Sequence, residues 1–512
     1  MKRTSVLVFI GYLFFISCSQ PAFVKNKTHA STPDSSIKKG KILAETFCQS
    51  CHSLPDPSLL TAGVWENGVL PAMGPRLGIF EHRYKRYPSN INDPNIGRHY
   101  YPPSPLLSNI DWQHIIDYYT ALSPDTIALQ KRKIPIKTSD ALFKAKAPAL
   151  HTANATTCLV TVDTTEKSIY TSDILNGALY KYNTSLEMID SLQTGGGIVQ
   201  LLQAGRQKIA CNIGMFPPNN LEAGSIQSIL SNNKRMKDSV MYKKLMRPVN
   251  ISTADLNNDG LQDFVVCEFG YLKGALSWLQ HNSNNSYTRH VIKDLPGAIK
   301  SVTGDFNNDG KPDIMALFAQ GEEGIFLFTN KGDTTFDEEE ILRFPPSYGS
   351  SYFELDDFNK DGYPDILYTC GDNADYSPEL KPYHGVYIFL NDKSNHFKQS
   401  YFFHIDGCYK AIAKDFDNDG DLDIATIAFF ADYTNEPGEG FVYLKHIGGN
   451  NFEPYSLPET ENGRWLTMEA ADIDKDGRSD LILGNCSVGP TITKSKIDFK
   501  QQPPFLLLKN IQ

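Results

Sequence analysis

Cys48-Gln-Ser-Cys-His52 places two thiols three residues apart with an imidazole directly after the second. On one helical turn, each thiol can form a thioether with a haem vinyl group, and the adjacent imidazole can ligate the iron. A zinc site would need further ligands, and the next cysteine, Cys158, is over a hundred residues away. A thioredoxin-type redox pair belongs in a βαβ setting, and none surrounds this segment. The expected chemistry is one covalent haem on Cys48 and Cys51, with His52 on the iron.

A second constellation recurs five times from residue 255: DLNNDGLQD, DFNNDGKPD, DFNKDGYPD, DFDNDGDLD and DIDKDGRSD, with starts 50, 52, 58 and 57 residues apart. Oxygen side chains at positions 1, 3, 5 and 9, with glycine at 6 for a sharp turn, suit a hard cation such as Ca²⁺. The candidate ligands are Asp255, Asn257, Asp259 and Asp263; Asp305, Asn307, Asp309 and Asp313; and Asp357, Asn359, Asp361 and Asp365. The last two loops offer Asp415, Asp417, Asp419 and Asp423, then Asp472, Asp474, Asp476 and Asp480. About five Ca²⁺ are expected, as structural pins. An EF-hand is excluded, because it needs flanking helices and a glutamate at position 12, and these flanks are strand-like.

Repetition at this period signals a solenoid, propeller or array. The five loops resemble the FG-GAP/VCBS repeats of integrin-like β-propellers over residues 249–486. That resemblance implies four-stranded blades with the acidic loop between strands A and B. Two further strand quartets precede the first loop, giving seven blades within residues 151–512. The last blade shows only three strands (WLTMEAADI, SDLILGNC and FLLLKNIQ), and a propeller must close. Its outer strand is expected from within residues 131–150.

Helices must position the first motif. Residues 37–52 read as a helix ending in the motif. DWQHIIDYYTAL carries a stripe of Trp112, Ile115, Ile116, Tyr119 and Leu122, with Ser108 or Asn109 as cap and Pro124 as stop. Two helices bracketing about 85 residues resemble a class I cytochrome c domain, here 38–130. The resemblance implies a methionine as sixth iron ligand. Met73, in LPAMGPRLG, is the only methionine between residues 2 and 187, and its Gly/Pro neighbours suggest a rigid exposed loop. His82, His99 and His114 are the rival ligands, and a gap-filling methionine is the plain structural alternative.

At the N-terminus, Lys2 and Arg3 precede the apolar run Val6–Ile16, and Ser17 precedes Cys18. This is the form of a secretory signal and resembles that of bacterial lipoproteins, with Phe15 departing from the usual leucine. Residues 1–17 are expected as signal, Cys18 as the lipidated anchor, and 18–37 as a flexible tether. Plain secretion with Cys18 incidental is the alternative. At eleven residues the run is too short to span a bilayer. The net charge of −10 argues against a nucleic-acid partner. Without Lys2 and Arg3 it becomes −12, and five dications would return it to −2.

The combined expectation is a multidomain chain: a small all-α cytochrome c domain and an all-β seven-bladed propeller. The chain would be lipid-anchored in the cell envelope and pass electrons to a redox partner protein. A haem-coupled dehydrogenase with a catalytic propeller, or an adhesion module binding glycan or a small molecule, are the alternatives. Ligand binding would fall on the long B–C loops 370–384, 429–440 and 486–504, or on Lys300, Tyr352, Glu354, Lys410 and Glu469 in the channel, where a solvated lining is the plainer reading. Cys158, Cys211, Cys267, Cys370, Cys408 and Cys486 are either disulfide partners or buried thiols.

Overall fold

The computed structural model describes residues 23–512, except 129, 131, 150–153, 206, 233–234 and 375. Residues 1–17 and Cys18 therefore lie outside the described residues.

Seven four-stranded antiparallel units form the propeller, with inner strands starting at Thr157, Ile198, Pro248, Ala298, Ser350, Cys408 and Trp465. The second strand of each of the five acidic-loop blades is buried along its whole length, as in Asp313–Phe318 and Asp423–Ala428. These strands are covered on both faces by neighbouring blades, which is why they read as continuous apolar runs. Outer strands such as Phe336–Arg343 have no buried residue and lie largely open to solvent.

Ring closure falls where the strand count placed it. Phe143–Lys146 pairs antiparallel with Phe505–Asn510 as the outer strand of blade 7, in the register Asn510↔Phe143 and Leu507↔Lys146. Phe143 packs edge-on against Phe416 and Tyr443, so blade 6 holds the strand as well. Lys137–Thr138 adds a fifth, parallel strand to blade 6, which the sequence did not suggest.

The N-terminal region is helical, dominated by Asp34–Phe47 and Asn109–Leu122. Ser108 caps the second helix, its Oγ accepting from the Asp111 N–H at 3.1 Å. The two helices meet at Gly40, where an added Cβ would lie 1.8 Å from the His114 carbonyl oxygen, so only glycine permits this approach. Ile37, Ala44, Trp65, Leu70, Trp112, Ile115 and Tyr119 fill the core.

The expected tether is corrected within residues 23–37. Phe23 packs against the helical core. Asn26 donates its N–H to the Ala121 carbonyl and its side-chain amide to those of Thr120 and Ser123. A polar segment that looked solvated thus serves carbonyls left over at a helix C-terminus. The first helix also starts at Asp34, making Ile37 a core residue.

All six propeller cysteines are buried free thiols. Among the described residues, no helix is long and apolar enough to cross a membrane.

Candidate functional site

The first helix ends at Phe47 with Cys48 as its cap, so the motif follows the helix as a turn through Gln49–His52 instead of forming its last residues, as the expected 37–52 helix had it. Cys48 is partly buried against the helical core, and burial, followed by the nearby Cys51, pushes its thiol up to about 12. Cys51 is exposed, and neither thiol is in a disulfide. His52 Nδ1 lies 2.8 Å from the Ser53 carbonyl oxygen. That contact requires the proton on Nδ1 and leaves the Nε2 lone pair available for a metal.

Met73 is half-buried, and it does not lie on an exposed loop. Ala62–Val64, Trp65–Val69, Leu70–Met73 and Gly74–Leu77 run on as successive α, π, α and 3₁₀ turns. Pro71 and Pro75 each sit in the first turn of their segment, where no N–H is required. Gly78, at φ 77°, ends the run. Of the rival histidines, His82 Nε2 meets Gln113 at 2.7 Å and His114 Nδ1 meets Ser36 at 2.6 Å. His99 is exposed.

The five acidic loops share one construction. Position 1 accepts the N–H of position 5 on one oxygen and that of the glycine on the other, at 3.0 and 2.8 Å for Asp255. Position 5 accepts the N–H of position 7. Positions 4 and 6 have positive φ in all five, which accounts for glycine at 6 and asparagine at 4 in three of them. The loops are therefore set by their own backbone. In blades 6 and 7, Asp415, Asp417 and Asp419, and likewise Asp472, Asp474 and Asp476, each bring one oxygen within 4.8 Å of the others. Position 9 is held by the backbone at the end of strand C. Asp263, Asp313, Asp365, Asp423 and Asp480 are buried, each with Oδ1 accepting an N–H from the end of strand C. Burial raises all five, Asp423 to about 6.

One compensation escaped sequence reasoning. Only the last two loops carry aspartate rather than asparagine at position 3, and only these face a lysine at the penultimate residue of strand C. Lys445 pairs with Asp417. Lys509 reaches Asp474 at 2.7 Å, Asp476 at 2.9 Å and Asp480 at 3.3 Å. Each extra carboxylate is thus matched by one ammonium, so the formal charge summed over positions 1, 3, 5 and 9 is the same in all five loops once these two lysines are counted. The signal was legible as Asp at position 3 with Lys on strand C, but it required the strand register.

In the channel, Lys300 and Lys410 stand 5.3 and 5.0 Å from the Tyr352 ring centroid. Lys410 donates to the Met468 carbonyl at 2.8 Å, and Glu354 accepts the Ala413 N–H. Burial, then Lys410, lowers Lys300; burial raises Glu354 and Glu469, opposed by both lysines. Two ammoniums balance two carboxylates, and the contacts stitch adjacent blades as Gln200–Ile251 and Asn250–Ser301 do elsewhere.

The long loop 370–384 holds the chain's own helical region. Glu379 accepts the Thr61 N–H at 3.0 Å and its hydroxyl at 2.9 Å, and burial raises its carboxyl. Tyr383 donates to the Leu59 carbonyl at 3.2 Å, and Asn220 to Asp93 at 2.7 Å. The helices therefore sit on the B–C face, opposite the acidic A–B turns.

Residues 255–316, 305–368 and 415–483 match the FG-GAP-like repeat family. Integrin alpha-8 of Gallus gallus is 24% identical over 245 residues, 43% of this chain and 23% of that protein. The chain thus spans less than a quarter of the curated relative it matches. Among solved structures, the Dos1 propeller is 10% identical over 69% of this chain and 77% of that one, with a TM-score of 0.42. Sqt1 of Saccharomyces cerevisiae is 11% identical over 69% and 83%, with a TM-score of 0.38. Residues 255–368 and 415–483 carry FG-GAP-like repeats within a seven-bladed propeller, with a small helical region at its N-terminal side.

Proposed function

We propose that this chain is an exported, membrane-tethered electron carrier. Its helical region is a cytochrome c domain with haem c on Cys48 and Cys51, and its propeller is pinned by about five Ca²⁺ ions and serves partner binding. The observation that carries the reading is the motif itself, at the end of a helix locked against its partner at Gly40, with the His52 Nδ1 proton committed to Ser53. These residues fit the group: two unpaired thiols three apart, and one imidazole nitrogen left without a proton. Bound there, haem c supplies a one-electron Fe(III)/Fe(II) couple. His52 and Met73 would hold the iron, and the tryptophan- and tyrosine-rich helical core would shield the group from water. The acidic loops keep the A–B turns rigid at the far face, and Cys18 ties the chain to a membrane through lipid.

Potentiometric titration of the purified protein is the test, with a single reversible one-electron wave expected. Met73→Ala should lower the potential and abolish the weak iron–thioether absorption. An unchanged wave in that variant, with the spectrum controlled instead by His82, His99 or His114, overturns the Met73 assignment. A second reading, a dehydrogenase with a catalytic propeller, draws on the docking of the helices on the B–C face through Glu379 and Asn220. Reduction of the haem by a small organic substrate would favour it.

A further inference from the structure

His404, Asp406 and Glu439 lie together at the junction of blades 5 and 6, on the face opposite the acidic loops. His404 ends the outer strand of blade 5, Asp406 is in the link to blade 6, and Glu439 is on a short turn in the blade 6 B–C loop. Their exposures are 5%, 5% and 1%. One ligand atom from each lies within 4.8 Å of the others.

Three details make this more than a buried ion pair. His404 Nδ1 lies 3.0 Å from the His384 carbonyl oxygen, which fixes the proton there and turns the Nε2 lone pair inward. Nε2 is then 3.6 Å from Asp406 Oδ1, too far for a hydrogen bond. Two ligands about 2.1 Å from a tetrahedral ion lie about 3.4 Å apart. Third, Asp406 Oδ1 is buried and accepts no hydrogen bond from the described residues. A buried carboxylate oxygen without a donor is costly. Arg132 answers only part of the charge, binding Glu439 Oε1 and, at 2.7 Å, Glu436. Among the described residues, Glu439 Oε2 accepts the Asp432 N–H at 3.4 Å and no other.

We propose that His404, Asp406 and Glu439 form a buried site for one divalent transition cation of the zinc class. One imidazole and two carboxylates suit such an ion, whereas Ca²⁺ takes six to eight oxygens. The ion joins the blade 5 outer strand to the blade 6 loop. Through Arg132 it reaches the segment that connects the helices to the closing strand. The site is independent of the haem reading and of the acidic loops.

The test is calorimetric titration of the Ca²⁺-saturated full chain with Zn²⁺, together with anomalous diffraction at the zinc edge. One tight site is expected, with its anomalous peak between His404 Nε2, Asp406 and Glu439. His404→Ala and the isosteric Asp406→Asn should each weaken it at least ~10-fold. Arg132→Ala removes the competing guanidinium and should keep or tighten binding. The proposal fails if Zn²⁺ collects only at surface histidines. It also fails if Asp406→Asn, folded by circular dichroism, binds as wild type does, or if Arg132→Ala abolishes binding.

Discussion

Phe143→Ala tests ring closure by a strand that lies over 350 residues from its partner in sequence. Phe143 is 1% exposed and packs 5.8 Å from Phe416 and 5.7 Å from Tyr443, ring centre to ring centre. Truncating a buried phenylalanine costs about 3–5 kcal/mol. A domain of this kind has a total stability of about 5–15 kcal/mol. Taking about 4 of about 10 kcal/mol, the urea midpoint should fall by roughly two-fifths at unchanged slope. Hydrogen exchange should quicken first along Phe505–Asn510, whose outer edge Phe143–Lys146 covers. Lys144→Ala, at an exposed position paired only with Asp140 on the surface, should stay within ~0.5 kcal/mol of wild type. A Phe143→Ala protein within about 1 kcal/mol of wild type would show that residues 143–146 do not close the ring.

Removal of Ca²⁺ by chelation should lower the propeller's melting transition, by about 2.7 kcal/mol per site where the free ion stood at a hundred times its Kd. Lys509→Gln should raise Ca²⁺ affinity several-fold in blade 7 alone, and equal titrations of the two proteins would refute a competing role for that ammonium. Burial holds Glu323 and Glu354 up at about 7. Since their folded values exceed the unfolded ones, each favours the folded state when protonated, and that contribution is lost as pH rises towards and through 7. Urea midpoints should therefore fall from pH 5.5 to 8 in the metal-free protein, and Glu323→Gln should flatten the slope. Glu379→Ala removes the acceptor for two Thr61 hydrogen bonds, worth about 1–3 kcal/mol of docking. Calorimetry should then resolve separate helical and propeller transitions, whereas one unsplit transition would place the docking energy elsewhere.

The blades were legible because each acidic loop marks an A–B turn, and because a three-stranded last blade demands an outer strand from elsewhere. The helix pair was legible from the stripe through Trp112, Ile115 and Tyr119. What escaped depends on contacts between distant residues. Thr61 and Glu379 are separated by 318 positions, and no periodicity links them. Residues 23–33 look like a tether because serine, threonine and lysine are usually solvated, yet Asn26 finds three helix-end carbonyls. The Gly/Pro setting of Met73 suggested a loop, but both prolines occupy first-turn positions that helical segments tolerate. The Asp/Lys matching in blades 6 and 7 is written in the sequence, but reading it requires knowing which strand C residue faces the loop.

Covalent haem is decided by the intact mass and haem stain of the purified protein after denaturing electrophoresis, wild type beside Cys48→Ser/Cys51→Ser. The motif's chemistry predicts a wild-type chain heavier by one haem, with the stain retained, and a double variant without either. A wild-type chain that carries no haem mass when expressed with haem-attachment machinery would contradict the electron-carrier assignment.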